Sequence, residues 1–327
     1  MIIMTCRYGL GNRLFYFAHC VALGEATGHR VFTSNIPEYG RYFDDKYGAF
    51  CVWPKSSFPR IPWPNWTRRA FNLVFRKALA LSQKYNLPGV KIVWAEMDET
   101  ERISVENPEF IQMLRSHRLV IMTGWPAIEK IVVPNPENVR SFFTPKKEIA
   151  LECRDLTLKA KGDADILIGI HFRWGDYSDY GDGCFYYSTD AYLRVMRRCT
   201  ELFPGKRVAF LAISNEPDIL RRTLDLIAPL KVTLGPNTLI GDVCGLAECD
   251  YIVCPASSFS LWAAFQGRKP VWCMSDENAL PELKDFVVPN HTFEGMHPEG
   301  VHRIAAGKAK AHETVPASGN LSEGQAA

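Results

Sequence analysis

Three side chains that can bind or move charge follow one short apolar run: His171, Arg173 and Asp176, within residues 168–177 (Ile-Gly-Ile-His-Phe-Arg-Trp-Gly-Asp-Tyr). The run predicts a buried strand, and open α/β sheets bind ligands beyond the carboxyl ends of their strands. His171 and Arg173 are two residues apart, so they share one face of the strand end. An arginine there suits a diphosphate, because its planar guanidinium forms paired hydrogen bonds and keeps its charge. Alternatively, Arg173 pairs with Asp176 and His171 is a core histidine.

A glycine-rich turn is the second candidate site, at residues 9–15 (Gly-Leu-Gly-Asn-Arg-Leu-Phe), between a predicted strand and a predicted helix. Glycines let the backbone approach a ligand, and free amides at a helix N-terminus bind anions. The turn lacks the third glycine of a Rossmann fingerprint and the Gly-Lys-Ser/Thr of a Walker A loop. It is therefore either a phosphate or acceptor loop, or a tight connection with no ligand.

The third candidate combines Asp242 with residues 257–260 (Ser-Ser-Phe-Ser), which follow a predicted strand at Tyr251–Val253. Serines that open a helix are common N-caps, and their hydroxyls and the neighbouring amides also accept a phosphate. Capping alone explains both Ser257 and Asp242, so this cluster carries weight only together with the other two.

Short apolar runs alternate with helix-length amphipathic segments and must position these groups. The predicted strands are 2–5, 31–33, 92–94, 119–123, 166–172, 208–213, 251–253 and 271–273, and helices are predicted to start near Arg13, Ser188, Glu216, Gly241 and Ser257. Buried strands separated by helices indicate parallel sheets covered on both faces. The fold class is therefore α/β, with two doubly wound parallel-sheet domains. The predicted divisions are 1–150, 151–290 and a C-terminal segment 291–327 whose distal part is disordered.

Together, and in this order, the three clusters resemble those of the fucosyltransferase superfamily, which comprises α1,2-, α1,6- and protein O-fucosyltransferases. The closest similarity is to the α1,2 family, whose pattern is roughly His-x-Arg-Arg-Gly-Asp-Tyr with a later Ser-Ser-Phe-Ser-Trp-Trp. Here the later segment reads Ser-Ser-Phe-Ser-Leu-Trp, residues 257–262. The resemblance implies a GT-B enzyme whose two domains face a central cleft. It also implies inverting transfer of L-fucose from GDP-β-L-fucose to a glycan hydroxyl, with no metal or other cofactor.

The same resemblance implies residue roles. Arg173 contacts the β-phosphate and stabilises the departing GDP. The implied donor-binding groups are the backbone around His171 and the Asp242 side chain near the guanine, Ser257 and Ser258 at the diphosphate, and Gly9, Gly11 and Asn12 over the cleft. Phe259 is also implied to bind the donor. Asp176 is either the general base or the group that orients Arg173, and Asp179 and Asp182 are further carboxylates on the same loop.

Two positions depart from the family pattern. Trp174 stands where the second arginine is usual, and Asn215 replaces an aspartate that ordinarily follows a Ser-ending strand. These departures keep two alternatives open: α1,6 transfer to chitin-like or core glycans, and a GDP-sugar-binding relative with weak catalysis.

Charge is unevenly distributed along the 327 residues. The net charge is +2, yet residues 46–95 contain nine Lys and Arg and no Asp or Glu, which leaves −7 for the rest of the chain. This balance excludes a nucleic-acid binder with a basic surface throughout. Within the basic block, residues 66–85 are predicted to form an amphipathic helix. This helix is either an ordinary surface helix or a surface that contacts anionic lipid and a lipid-linked or oligosaccharide acceptor.

Location and metal use follow from weaker signals. The first apolar run, residues 1–6, is too short for a signal sequence, and ten scattered cysteines suggest reduced thiols, so we expect a cytoplasmic protein. The basic block at residues 46–95 adds the option of a peripheral position at the inner membrane face. A Golgi-luminal protein whose anchor has been removed is the alternative. Asp163-Ala-Asp165 spells a manganese motif but precedes its strand, so we expect no metal there.

Overall fold

The computed structural model describes residues 1–6, 8–33, 39, 42–43, 51–53, 73–74, 77, 81, 85, 88–95, 103–124, 133, 135–179, 183–227 and 230–290. The predicted helix at 66–85 and the predicted disordered tail lie largely or wholly outside the described residues. Asp182 also lies outside them.

The first half of the chain forms a five-stranded sheet with the order β3-β2-β1-β5-β4. Neighbouring strands are parallel except β2 and β3, which are antiparallel. Its elements are β1 Ile2–Met4, α1 Leu10–Thr27, β2 Val31–Thr33, β3 Cys51–Trp53, β4 Val90–Ala95, α2 Pro108–Ser116, β5 Leu119–Gly124 and α3 Pro136–Phe142. Helix α1 begins at Leu10, three residues before the predicted start, because Gly9 already serves as its N-cap.

The second half forms a wholly parallel five-stranded sheet with the order β10-β9-β6-β7-β8. Its elements are α4 Lys147–Lys161, β6 Ile166–Phe172, α5 Thr189–Glu201, β7 Val208–Ser214, α6 Pro217–Ile227, β8 Lys231–Leu234, α7 Leu239–Glu248, β9 Tyr251–Cys254, α8 Ser258–Gly267 and β10 Val271–Cys273. The prediction of two parallel-sheet α/β regions is confirmed. Residue 150, the predicted domain boundary, lies inside α4, which packs on this second sheet.

Burial explains why the central strands form where the sequence places them. Every residue of β6 after Ile166 is buried, as expected of a strand covered by helices on both faces. Helix α5 begins after Ser188, whose side chain accepts the Ala191 N–H and so caps the helix.

The two sheets share one core through helices α1 and α8. The Phe15 and Trp262 rings meet edge to face at 5.2 Å, and both belong to a cluster with residues of both halves. Arg140 of α3 donates to the Phe265 carbonyl at 2.7 Å, and its guanidinium carbon lies 4.3 Å from that ring centre. A large apolar interface of this kind opposes rigid-body motion of one half against the other.

The described cysteine side chains are all buried free thiols, nine in number. Among the described residues, no helix is long and apolar enough to span a membrane.

Candidate functional site

The carboxyl ends of β6 and β9 meet at the centre of the second sheet. From β6 the chain proceeds to β7 and β8 on one side, and then returns to β9 and β10 on the other. At such a reversal the loops diverge and leave a crevice in which α/β proteins bind ligands. Strand β6 leads into residues 173–178, and β9 leads into the first turn of α8. The first and third sequence candidates therefore lie on opposite sides of one crevice.

His171 ties these two sides together. It is buried, and its Nδ1 lies 2.5 Å from Ser260 Oγ, while its ring centre lies 5.5 Å from that of Phe259. Burial, and secondarily the charge of Arg173, lowers the pKa of His171 to about 3. The imidazole is therefore neutral at pH 7 and does not serve as a proton donor. The structure agrees with the core-histidine interpretation of this residue.

Arg173 is both paired and available. Its Nη2 donates to the Asp176 carboxylate at 2.9 Å, and its guanidinium carbon lies 4.9 Å from the Tyr177 ring centre. The side chain keeps 28% of its surface exposed, and that of Asp176 keeps 63%. Arg173 Nε is buried without a hydrogen-bond partner. A buried unpaired donor costs roughly 1–3 kcal/mol, so this N–H is expected to take up a water or a ligand oxygen.

Trp174 is a core residue. Its indole packs 5.2 Å from the Phe172 ring, and its Nε1 donates to the Tyr187 carbonyl at 3.0 Å. The Trp174 side chain therefore packs inside the second half of the chain, in a buried cluster with Phe172, Tyr187 and Tyr192.

Two tyrosines that sequence reasoning did not select support the strand end. Tyr177 stacks under Arg173, and Tyr192 Oη accepts the Arg173 main-chain N–H at 3.2 Å. Tyr177 closes the motif at residues 171–177, so its importance could have been found from that pattern. Tyr192 lies on α5, 19 residues away, with no such signal.

The glycine-rich turn lies against the start of α8. A Cβ placed on Gly11 would lie 2.7 Å from the main-chain carbon of Ser258, so only glycine fits there. The Ser258 hydroxyl donates to the Asn12 side chain. Gly9 has no atom within 4 Å of a Cβ position. The structure thus brings the glycine-rich turn together with residues 257–260 of the third candidate, with Gly11 and Asn12 joining the two halves beside the crevice.

Ser257 occupies the N-cap position of α8 and is buried, but its side chain makes no capping bond. The first amides of α8 therefore donate no hydrogen bond to the Ser257 side chain. The N-terminus of α8 lies beside β6, and its free amides and the positive end of the helix dipole together suit an anionic ligand.

Asp242 lies on α7 beyond the ends of β7 and β8. It lines a small pocket of about 30 Å³ with Ser214, Gly235 and Asn237, and its carboxylate accepts the Asn237 N–H at 3.1 Å. Burial raises the pKa of Asp242 to about 6, against the opposing effect of backbone hydrogen bonds from residues 237 and 238. The structure places Asp242 two strands away from β9, so it does not share the contacts of Ser257.

The remaining carboxylates are less suited to chemistry. Asp179 is exposed and follows the short 3-10 turn Gly175–Ser178. Asp163 pairs with Arg207 at 2.6 Å and with Lys231 at 2.7 Å, at the amino end of β6. Within the described part of the chain, no group of three or more His, Cys, Asp or Glu could hold a metal ion.

A larger cavity, of about 320 Å³, lies elsewhere, between α1, α4, α7 and α8. Leu14, Phe143, Val243 and Trp262 give it apolar walls, and none of the predicted site residues lines it. It belongs to the packing between the two halves rather than to the crevice.

Comparison with known proteins bears on the second half. Residues 142–278 match Glycosyl transferase family 11. The match spans β6 to β10 and so contains Arg173, Asp242 and Ser257, whereas the turn at residues 9–15 lies before it. No curated protein matches the chain.

Solved structures resemble the whole fold. The family 11 region and the preceding half together superimpose on Arabidopsis thaliana FUT1 Mutant R284K in complex with GDP. The TM-score is 0.51 at 12% identity, covering 91% of this chain and 74% of that one. Fucosyltransferase NodZ from Bradyrhizobium gives 0.49 at 15% identity, covering 85% and 96%. The likeness to the Arabidopsis protein confirms the predicted GT-B class of fold.

Proposed function

We propose that this protein is a glycosyltransferase that moves L-fucose from GDP-β-L-fucose to a hydroxyl of a glycan acceptor, with inversion and α1,2 linkage. The observation that carries the proposal is the position of Arg173. It lies at the switch point of the second sheet, opposite the N-terminus of α8, inside the region that matches family 11. The Arabidopsis protein with the similar fold was solved with GDP, which supports the nucleotide assigned here.

In the proposed reaction, negative charge develops on the leaving diphosphate, next to Arg173 and the first amides of α8. The acceptor oxygen attacks C1 of fucose, the bond from C1 to the β-phosphate oxygen breaks, and the bonding electrons leave with GDP. The acceptor proton passes to a base or to water. Arg173 and the amides of α8 stabilise the extra negative charge on the diphosphate, so a metal is not needed in this proposal. Asp176, already bonded to Arg173, orients the guanidinium.

Asp242 is assigned to the nucleobase. Guanine presents N–H donors at N1 and N2, which a carboxylate accepts as a pair, whereas uracil and cytosine present a different pattern. The Asp242 pocket lies beyond β7 and β8, to one side of the diphosphate position at β6 and β9. A GDP molecule would therefore lie along the carboxyl edge of the sheet.

Donor choice tests the proposal directly. Calorimetry with GDP, UDP and CDP should show binding of GDP alone. GDP-fucose should then be consumed with a β-galactoside acceptor, and product NMR reads the linkage. Transfer to a chitin oligosaccharide with an α1,6 bond would replace α1,2 by α1,6. Binding of UDP or CDP without GDP would refute the proposal, and GDP binding without transfer or hydrolysis would leave a donor-binding protein.

GDP affinity should fall in acid because of Asp242. Its pKa of about 6 means that the carboxylate is charged at pH 7.5 and mostly protonated at pH 5. If guanine binds the charged form, the Kd rises about tenfold between these two pH values. The Asp242→Asn protein should bind more weakly at pH 7.5 and lose this part of the pH dependence. Because GDP itself titrates in both proteins, the ratio of the two Kd values is the measurement, and a ratio independent of pH would remove Asp242 from the guanine site.

A further inference from the structure

The turn that carries Arg173 is held by a side chain of the neighbouring strand. The ladder between β6 and β7 ends at the pair Phe172 and Ser214. One step further, Asn215 continues it with its carboxamide. Its Oδ1 accepts the Trp174 N–H at 2.9 Å, and its Nδ2 donates to the Trp174 carbonyl at 3.2 Å.

A carboxamide has the donor and acceptor of a peptide group, so Asn215 acts as an extra strand residue. The turn is also fixed on its other sides. The Arg173 N–H donates to Tyr192 Oη, and the Trp174 indole is locked in the core by its bond to the Tyr187 carbonyl. The main chain at Arg173 and Trp174 is therefore held in one conformation, which fixes the direction in which the Arg173 side chain leaves it.

Gly175 completes the arrangement. It has a φ of +56°, and a Cβ there would lie 2.8 Å from Asn215 Nδ2. The turn reverses directly against the carboxamide, with no room for a side chain between them. Asn215 therefore binds the main chain of Trp174 and, together with Glu216, leaves no space for a side chain at Gly175.

We infer that Asn215 is a positioning residue that aims Arg173 at the leaving diphosphate, and that the amide, not a carboxylate, is required beside Trp174. The inference rests on the proposed role of Arg173. It also changes the meaning of the two departures from the family pattern. Trp174 and Asn215 are bonded to each other and form one unit, so neither is a lost catalytic group.

The chemistry of aspartate supplies a specific test. In an Asn215→Asp protein the ionised carboxylate still accepts the Trp174 N–H, but it faces the Trp174 carbonyl without a proton to donate. The neutral acid can donate that proton and so replaces the amide. The bond to the Trp174 carbonyl is partly buried, and leaving its acceptor unpaired costs a factor of about 5–100. We therefore expect turnover of Asn215→Asp at pH 8 to be about tenfold or more below wild type, and to recover toward wild type as pH falls to 5.

The experiment compares four proteins: wild type, Asn215→Asp, Asn215→Ala and Asn138→Asp. Asn138 is exposed on α3, far from the crevice, so its aspartate variant should match wild type at every pH. Asn215→Ala should be slow at all pH values, because alanine has no group to protonate. The fall should appear in kcat more than in KM, since Arg173 acts on charge that develops in the transition state. Near-UV circular dichroism verifies that each variant is folded.

A second measurement is independent of catalysis. Hydrogen exchange of the peptide that contains the Trp174 amide, compared with wild type at pH 8 and without nucleotide, should be faster in Asn215→Asp and Asn215→Ala and unchanged in Asn138→Asp. If wild type shows no transfer but exchange behaves as stated, the proposed function fails, and what stands is that Asn215 holds the turn at Trp174. A deficit of Asn215→Asp that does not shrink in acid, or full activity of Asn215→Ala, would overturn the inference.

Discussion

Replacing Arg173 with alanine should lower the rate of fucose transfer by about 10²–10³-fold, because one aimed donor to a developing oxyanion contributes roughly that much. The side chain lies at the end of β6 with an exposed face, while its Nε is buried without a partner. An uncharged donor to the diphosphate, such as a backbone amide, cannot replace the positive charge of Arg173. The expected loss is in kcat at saturating GDP-fucose, with a smaller increase in the Kd for GDP, which calorimetry measures separately.

Two further variants make the Arg173 experiment specific. Arg173→Lys keeps the charge but loses the paired donors of the guanidinium, so its rate should fall between alanine and wild type. Arg154→Ala removes an exposed arginine from α4 and should leave the rate unchanged. Because the Arg173 side chain is partly exposed and its ion pair with Asp176 lies at the surface, removing it should change the melting temperature little. Near-normal turnover of a folded Arg173→Ala protein would place the phosphate elsewhere.

The strands that could be predicted from sequence are the buried ones. The predicted ends of strand β6 match the observed Ile166–Phe172. A strand covered on both faces is apolar almost throughout, so its ends are marked by the first charged residues on either side. Strand β8, Lys231–Leu234, was missed because it lies at the sheet edge, half exposed, with a charged first residue. Strand β3 was missed inside the basic block, where three residues give no periodic pattern.

The candidate site divides in the same way. Arg173 and Asp176 are three residues apart, so local sequence was enough to predict their ion pair. The link between Trp174 and Asn215 crosses 41 residues, and that between Asn12 and Ser258 crosses 246. Such contacts depend on strand order and on how the two halves pack, which no local pattern specifies. Trp174 and Asn215, which look unrelated in the sequence, are therefore one hydrogen-bonded unit in the fold.

Packing between the halves also sets the shape of the crevice. The starts of α1 and α8 touch beside it, and the shared core behind them includes Phe15 and Trp262. The amides of α8 that are proposed to bind the diphosphate are thus held in place by the first half of the chain. Any change that separates the two helix starts should affect both stability and donor binding.

Gly11→Val should therefore destabilise the protein by about 3 kcal/mol, the upper part of the usual range for overpacking. A Cβ at Gly11 meets main-chain atoms of Ser258 and Phe259 at 2.7–2.8 Å, and main chain cannot move aside as a flexible side chain can. The same substitution at Gly9, where nothing lies within 4 Å and φ is −62°, should cost under about 1 kcal/mol, from the weaker N-cap. Urea unfolding of the two proteins measures the difference.

Gly11→Val should also bind GDP more weakly under native conditions, since the start of α8 must shift. Equal free energies of unfolding for the two variants would show that α1 and α8 do not meet in the way described. The glycine-rich turn would then no longer be assigned to the donor site.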